Sequence, residues 1–115
     1  MCIGYPMRLA EAEGEHAAWC EGRLGRRRVD LSLVGRCTPG TWLLVHADAA
    51  REVLDPQRAD AIDRALQALS IAIDGALDGD ADASAAAIDA CFPDLAGRTP
   101  QLPPHLRAAR GDLET

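Results

Sequence analysis

The spacing of apolar residues changes once along this chain, near position 55. Before it they alternate or fall in short runs; after it they recur every third or fourth residue. Ile3 and Tyr5 alternate with smaller neighbours and predict a first strand over residues 2–9. Residues 11–15 read as a polar connection, 16–20 resume an extended pattern, and 21–25 turn again. Val29, Leu31 and Leu33, with Asp30 and Ser32 between them, carry the period of a half-buried strand. Residues 35–40, with Pro39, predict a turn, 41–46 a continuous aliphatic strand, and 50–54 a short fifth one. Short strands joined by tight turns predict a fold that is mainly β: a small closed, OB-like barrel over residues 1–54, followed by C-terminal helices.

Asp55 is placed to cap a helix and Pro56 to occupy its first position. Ile62, Leu66, Leu69, Ile73 and Leu77 then mark one face of an amphipathic helix over 55–78. That stripe must be buried on the barrel or on a partner. Gly75, Gly79 and the acidic positions Asp78, Asp80 and Asp82 end the helix. The acidic spacing, with Asp89 beyond, is not a calcium loop. Ala83 stands where the turn needs glycine, and no long bidentate Glu closes it. The third segment, 79–115, holds a short helix over 84–91, stopped by Phe92-Pro93, and a proline-punctuated tail that cannot continue a regular helix. Phe92, Leu95, Leu102 and Leu106 are spaced apolar anchors in it. The tail is either a disordered end or an arm that contacts a partner.

At 115 residues the chain has room for one domain with a modest core. Twelve basic against eighteen acidic residues give a net charge of −6, the wrong sign for a general binder of phosphate backbones. All twelve basic residues are arginine, which alongside the abundant alanine reads as compositional bias. No basic start precedes an apolar run and no stretch is apolar enough to span a bilayer, so a cytoplasmic protein is expected, with no membrane partner. Cys2, Cys20, Cys37 and Cys91 contain no Cys-x-x-Cys pair and are expected as free thiols. His16 and Cys20 are the nearest approach to a zinc-ligand pair, and Cys20 and Cys37 are more simply packing residues.

Candidate chemistry gathers at Cys2 and His46. A cysteine next to the initiator methionine is an odd packing residue, because chain starts seldom contribute to a core. Were Met1 removed, the thiol of Cys2 would sit beside a protonated α-amine that favours thiolate. Gly4 permits close backbone approach, and Pro6 holds Tyr5 extended. A thiolate and an imidazole suit a transition-metal centre. A lone histidine at a strand end is more usually a hydrogen-bonded structural residue. Arg26-Arg27-Arg28 reads as a solvated hairpin entering the Val29 strand, or as a dock for an acidic or nucleic-acid surface.

Met1-Cys2-Ile3-Gly4-Tyr5-Pro6 and Gly40-Thr41-Trp42-Leu43-Leu44-Val45-His46-Ala47 together resemble the two signatures of the HypC/HupF family of [NiFe]-hydrogenase maturation chaperones, over residues 1 to about 75. The resemblance implies a chaperone, not an enzyme, that binds the immature hydrogenase large subunit, carries an Fe(CN)2CO fragment with a HypD-like iron–sulfur scaffold protein, or does both. In that reading Cys2 engages the iron as transient cargo and His46 assists. Cys2, Ile3, Gly4, Pro6 and His46 meet the partner, and no permanent cofactor is implied. The chain departs from the family pattern after His46-Ala47: Asp48 and Ala49 stand where a glycine and an aromatic are common. The missing glycine puts the same positive-φ turn in question, and the missing aromatic removes a packing contribution. With the long C-terminal segment, this describes an extended relative.

Two other functions compete. An OB-type module for single-stranded nucleic acid would need a basic, aromatic-lined groove; only Tyr5, Trp19, Trp42 and Phe92 are aromatic, and the charge is negative. A nucleophile enzyme could use Cys2 with its own amine as base, but no orienting third group or oxyanion motif accompanies it.

Overall fold

The computed structural model describes residues 3–109. Five strands, β1 (Tyr5–Glu13), β2 (Ala17–Gly22), β3 (Gly25–Asp30), β4 (Trp42–His46) and β5 (Ala49–Leu54), close into a barrel in the order β1-β2-β3-β5-β4. All neighbours are antiparallel except β3 and β5, which meet in parallel where Asp30 faces Ala49. The expected small barrel with C-terminal helices is therefore the fold. Met7, Leu9, Ala18, Cys20, Val29, Leu31, Leu43, Val45 and Ala50 fill its interior. Cys20, Cys37 and Cys91 are free thiols. Burial, reinforced by nearby Cys37, pushes the Cys20 thiol up to about 11, so it packs as an inert sulfur.

Two strand boundaries differ from the sequence reading. β1 runs on through residues 11–13, which pair with Trp19, Ala18 and Ala17 of β2. Residues 5–8 of β1 pair with β4 and residues 7–13 with β2, with a register shift between Leu9 and Glu11 on the β2 side. Its far half is exposed on both faces, and such a strand has no apolar alternation to betray it.

β3 starts at Gly25 and ends at Asp30, instead of spanning Val29 to Leu33. The arginine run is thus strand, not turn. Arg26 meets Glu11 and Glu21 at 3.3 Å, Arg28 meets Glu13 at 2.8 Å, and Arg27 meets Asp48 at 3.4 Å. These cross-element pairs make three adjacent like charges tolerable. The Asp30 carboxylate ends the strand by accepting from the Ser32 N–H at 2.9 Å and its hydroxyl at 2.6 Å, a side-chain-built turn. Those bonds hold its carboxyl below the usual carboxylate value. Past the turn Leu31 still reaches the core, while Leu33 points to solvent.

The helices are α1 (Pro56–Asp78), α2 (Ala81–Cys91) and α3 (Pro104–Ala109). Asp55 caps α1 by accepting from the Arg58 N–H at 2.8 Å, and Gly79, at φ 78°, terminates it by donating to the Gly75 carbonyl at 2.9 Å. α2 begins three residues ahead of the predicted 84 because Asp80 caps it through the Ala83 N–H. The tail also holds a regular turn of helix: Pro104 opens α3, where a missing N–H has no partner to lose.

The beginning of α1 lies against β1 and β4, with Asp63 bonded to Arg23 at 3.2 Å. Further on, α1 meets α2 through a close crossing. A Cβ on Gly75 would stand 1.9 Å from the Ser84 Oγ. The predicted stripe is only partly covered. Ile62 and Leu66 are half-buried, whereas Leu69, Ile73 and Leu77 are exposed. The Cα radius of gyration, 19.1 Å, well exceeds the roughly 13 Å of a compact chain of about this length. No helix of the described residues is long and apolar enough to cross a membrane.

Candidate functional site

β4 alternates Leu43 and Val45 inward with half-buried Trp42, Leu44 and His46 on its other face. β1 pairs with it from Tyr5 opposite Val45 to Arg8 opposite Trp42. Continuing this register carries the segment before β1 alongside the end of β4. There the His46 Nδ1 lies 3.1 Å from the Ile3 carbonyl oxygen. A carbonyl can only accept, so Nδ1 carries the hydrogen in this contact. In the neutral ring Nε2 then keeps its lone pair free. Pinning one ring nitrogen on a backbone carbonyl is the usual way a protein orients an imidazole that ligates through the other. The same bond would serve a purely structural histidine.

Around this contact Ile3, Tyr5, Leu24, Arg27, His46 and Asp48 line an open hollow of about 390 Å³, with Val45 and Ala47 completing its wall. It is half apolar, and it carries one imidazole and one guanidinium. Arg27 leans on Asp48 at 3.4 Å, which leaves further guanidinium hydrogens able to donate. Among the described residues no three His, Cys, Asp or Glu side chains converge as metal ligands.

The structure brings Ile3 and His46 together. Gly4 sits beside them, packed on Leu44: a Cβ there would lie 2.9 Å from Leu44 Cδ1. Pro6 is buried elsewhere, in a cavity of about 200 Å³ shared with Gly22, Trp42, Pro56 and Ala59 at the foot of α1. Cys2 lies outside the described residues; it is joined through the chain to Ile3, whose carbonyl holds His46. Sequence reasoning passes over Leu24 as a site residue, and offers Arg27 only as part of a basic run that could dock a partner, not as a neighbour of His46. Leu24 had a readable signal, since a large apolar residue in a hairpin turn occupies a place usually taken by Gly, Asn or Asp. Arg27 had none, because its neighbours in the run are equally basic.

The turn after His46 has two residues, and both take positive φ, Ala47 at 52° and Asp48 at 58°. The positive-φ turn is thus kept without glycine. Asp tolerates that region better than most residues, and its carbonyl receives the Asp30 N–H at 2.9 Å where β3 meets β5.

The profile of the HupF/HypC family matches residues 1–66, more than half of the chain, and covers both signatures and the whole barrel. The chain belongs to the HupF/HypC family. Its relatives include the hydrogenase expression/formation protein HupF of Rhizobium leguminosarum bv. viciae, 44% identical over 93% of this chain and 98% of the relative. The hydrogenase expression/formation protein HoxL of Azotobacter vinelandii is 45% identical over 94% of this chain and 92% of the relative. HoxL of Cupriavidus necator is 49% identical over 65% and 69%. The first two alignments run past the barrel and take in the helical segment. HupF/HypC relatives of this length share that extension with the present chain.

Proposed function

We propose that this HupF/HypC protein is a chaperone of [NiFe]-hydrogenase maturation, acting at the end of the barrel where Ile3 and His46 meet. The role in hydrogenase formation follows from the family and from relatives matched over nearly their full length. The finer reading is that Cys2 binds the iron of an Fe(CN)2CO fragment. The protein would receive that cargo from a HypD-like iron–sulfur scaffold and present it to the immature large subunit, without catalysing a reaction of its own. The single observation that carries it is the 3.1 Å contact between His46 Nδ1 and the carbonyl of Ile3, the residue that follows Cys2 in the chain.

The division of labour follows from chemistry. The Cys2 thiolate is the soft donor for iron. His46 holds the segment that bears it through Nδ1, which leaves Nε2 as the ring nitrogen with a free lone pair. Ile3, Tyr5 and Leu24 surround the contact with apolar surface, a setting in which a complex excludes water and strengthens polar contacts to the cargo. Gly4 keeps the segment close to β4.

Co-purification from hydrogenase-expressing cells tests this, with wild type, Cys2→Ala and His46→Ala compared for partners and iron together. Wild type should recover a large-subunit precursor or an iron–sulfur scaffold protein together with iron. Cys2→Ala should lose the iron, and His46→Ala should lower its yield. If Cys2→Ala brings down the same partners with the same iron, Cys2 is not the cargo ligand.

A further inference from the structure

The maturation reading leaves one large surface without a role, the outer face of α1. Leu69, Ile73 and Leu77 recur every four residues and so share that face. They are 42%, 55% and 82% exposed, and Ala65, Ala72 and Ala76 beside them are exposed too. α2 does not cover them, because it packs on α1 through Gly75 and Ser84, on another side of the helix. Single exposed leucines are ordinary, but a contiguous apolar face on a 23-residue helix is not.

The charge around that face is specific. Residues 65–97 contain Asp74, Asp78, Asp80, Asp82, Asp89 and Asp94 and no basic residue. The other twelve acidic residues are matched by the twelve arginines, so the entire net charge of −6 resides on the α1–α2 hairpin and the turn after it. Among the described residues none of these six carboxylates is in an ion pair. Asp74 and Asp78 flank this ridge along α1 itself, on a hairpin whose net charge is negative; that disfavours a second copy of the same hairpin, and an anionic membrane for the same reason.

We propose that this face is the docking site for a basic amphipathic helix of a partner protein. Apolar residues of that helix seat against Leu69, Ile73 and Leu77, while flanking Arg or Lys side chains meet Asp74, Asp78 and their neighbours. The surface involves neither Cys2 nor His46. It goes beyond the maturation reading and can fail while that reading stands.

The test uses the full chain and three labelled peptides of about 18 residues, five helical turns, followed by fluorescence anisotropy. One is an amphipathic Leu/Lys helix, one has the same composition scrambled to destroy its apolar face, and one is the Leu/Glu counterpart. The amphipathic basic peptide should bind about tenfold or more tighter than either control, since only it matches both apolar face and charge. Leu69→Ser/Ile73→Ser/Leu77→Ser should cost about tenfold in that affinity, and Leu77→Ser alone, at the most exposed of the three positions, should weaken it with circular dichroism unchanged. Asp74→Asn/Asp78→Asn should weaken binding at low salt and flatten its salt dependence. The proposal is overturned if the scrambled or the acidic peptide binds equally well, or if the triple serine variant binds like wild type. It is likewise overturned if wild type sediments as a dimer, or binds anionic phosphatidylglycerol vesicles, and the triple serine variant does neither. The face would then serve self-association or a lipid surface.

Discussion

The turn between β4 and β5 holds backbone strain beside the candidate site, and relieving it should stabilise the protein. Ala47 and Asp48 adopt φ of 52° and 58°, the left-handed region at both central positions of a two-residue hairpin. Such turns prefer Asn-Gly. An L-residue with a Cβ pays roughly 1–2 kcal/mol in this region, and Asp somewhat less because its side chain can bond locally. Ala47→Asn should therefore recover about 1 kcal/mol. Asp48→Gly is close to neutral. It relieves the same strain, but it adds about 0.4–1 kcal/mol of unfolded-chain entropy. It also removes an exposed pair with Arg27 at 3.4 Å, worth only about 0–1 kcal/mol. The double variant should gain about 1 kcal/mol, nearly all of it from position 47. Urea unfolding checks this: the midpoint should rise for Ala47→Asn with the slope unchanged, and fall for Ala47→Val, whose branched side chain fits that region worse than alanine. An unchanged or lowered midpoint for Ala47→Asn would refute the strain argument. The stakes reach the barrel itself, since the Asp48 carbonyl accepts the Asp30 N–H where β3 and β5 close it.

Three further outcomes follow from the packing. Cys20 has its thiol pKa raised from 9.0 to about 11 in the folded state, so the unfolded chain loses that proton first and stability should fall as pH rises from about 9 to 11. The loss is on the order of 2–3 kcal/mol; chemical denaturation across that range should show it for wild type and not for Cys20→Ala. Gly22→Ala brings a Cβ to 2.8 Å from the Pro6 carbonyl oxygen, while Gly4→Ala brings one to 2.9 Å from the mobile end of Leu44. The first should cost about 1–3 kcal/mol because backbone must move, and the second less; paired thermal melts distinguish them. Gly75→Ala drives a Cβ to 1.9 Å from Ser84 Oγ. It should lower hydrogen-exchange protection in α2 while leaving the barrel protected, and adding Ser84→Gly should restore it.

Much of this architecture is legible in the sequence, and the failures share a physical cause. Residues 42–46 and 49–54 announce themselves because one face of each is buried, and Asp55-Pro56 marks the helix start because capping chemistry is local. The second half of β1 and most of β3 stay hidden because they bury little. What holds them is the backbone ladder through β2, with Glu11, Glu13 and Glu21 paired to Arg26 and Arg28 on its surface, a relation between positions up to fifteen residues apart that no local pattern displays. Leu33 looked like strand because Leu31 and Val29 precede it at the right spacing; the Asp30–Ser32 turn intervenes. The stripe on α1 is visible as a stripe, but a sequence does not say what faces it, and three of its five residues are exposed.

The candidate site shows the same division more sharply. Cys2 and His46 stand out by residue type and Ile3 through the family signature, but 43 positions separate Ile3 from His46, and only strand register brings them together. That register is not set at the site. Met7 and Leu9 are buried in the barrel, and Met7 pairs with Leu43. A slip of one residue in β1 would turn both out to solvent and bring Pro6 and Arg8 inward, exposing two large apolar side chains at about 1.5–3 kcal/mol each and burying a charge besides. The core thus locks Tyr5 opposite Val45, and with it the Ile3 carbonyl against the His46 ring. Core substitutions that loosen β1, such as Met7→Ala, should then disturb the His46 environment without touching it. Tertiary packing inside the barrel is what sets the Ile3 carbonyl, near the start of the chain, against the His46 ring of the candidate site.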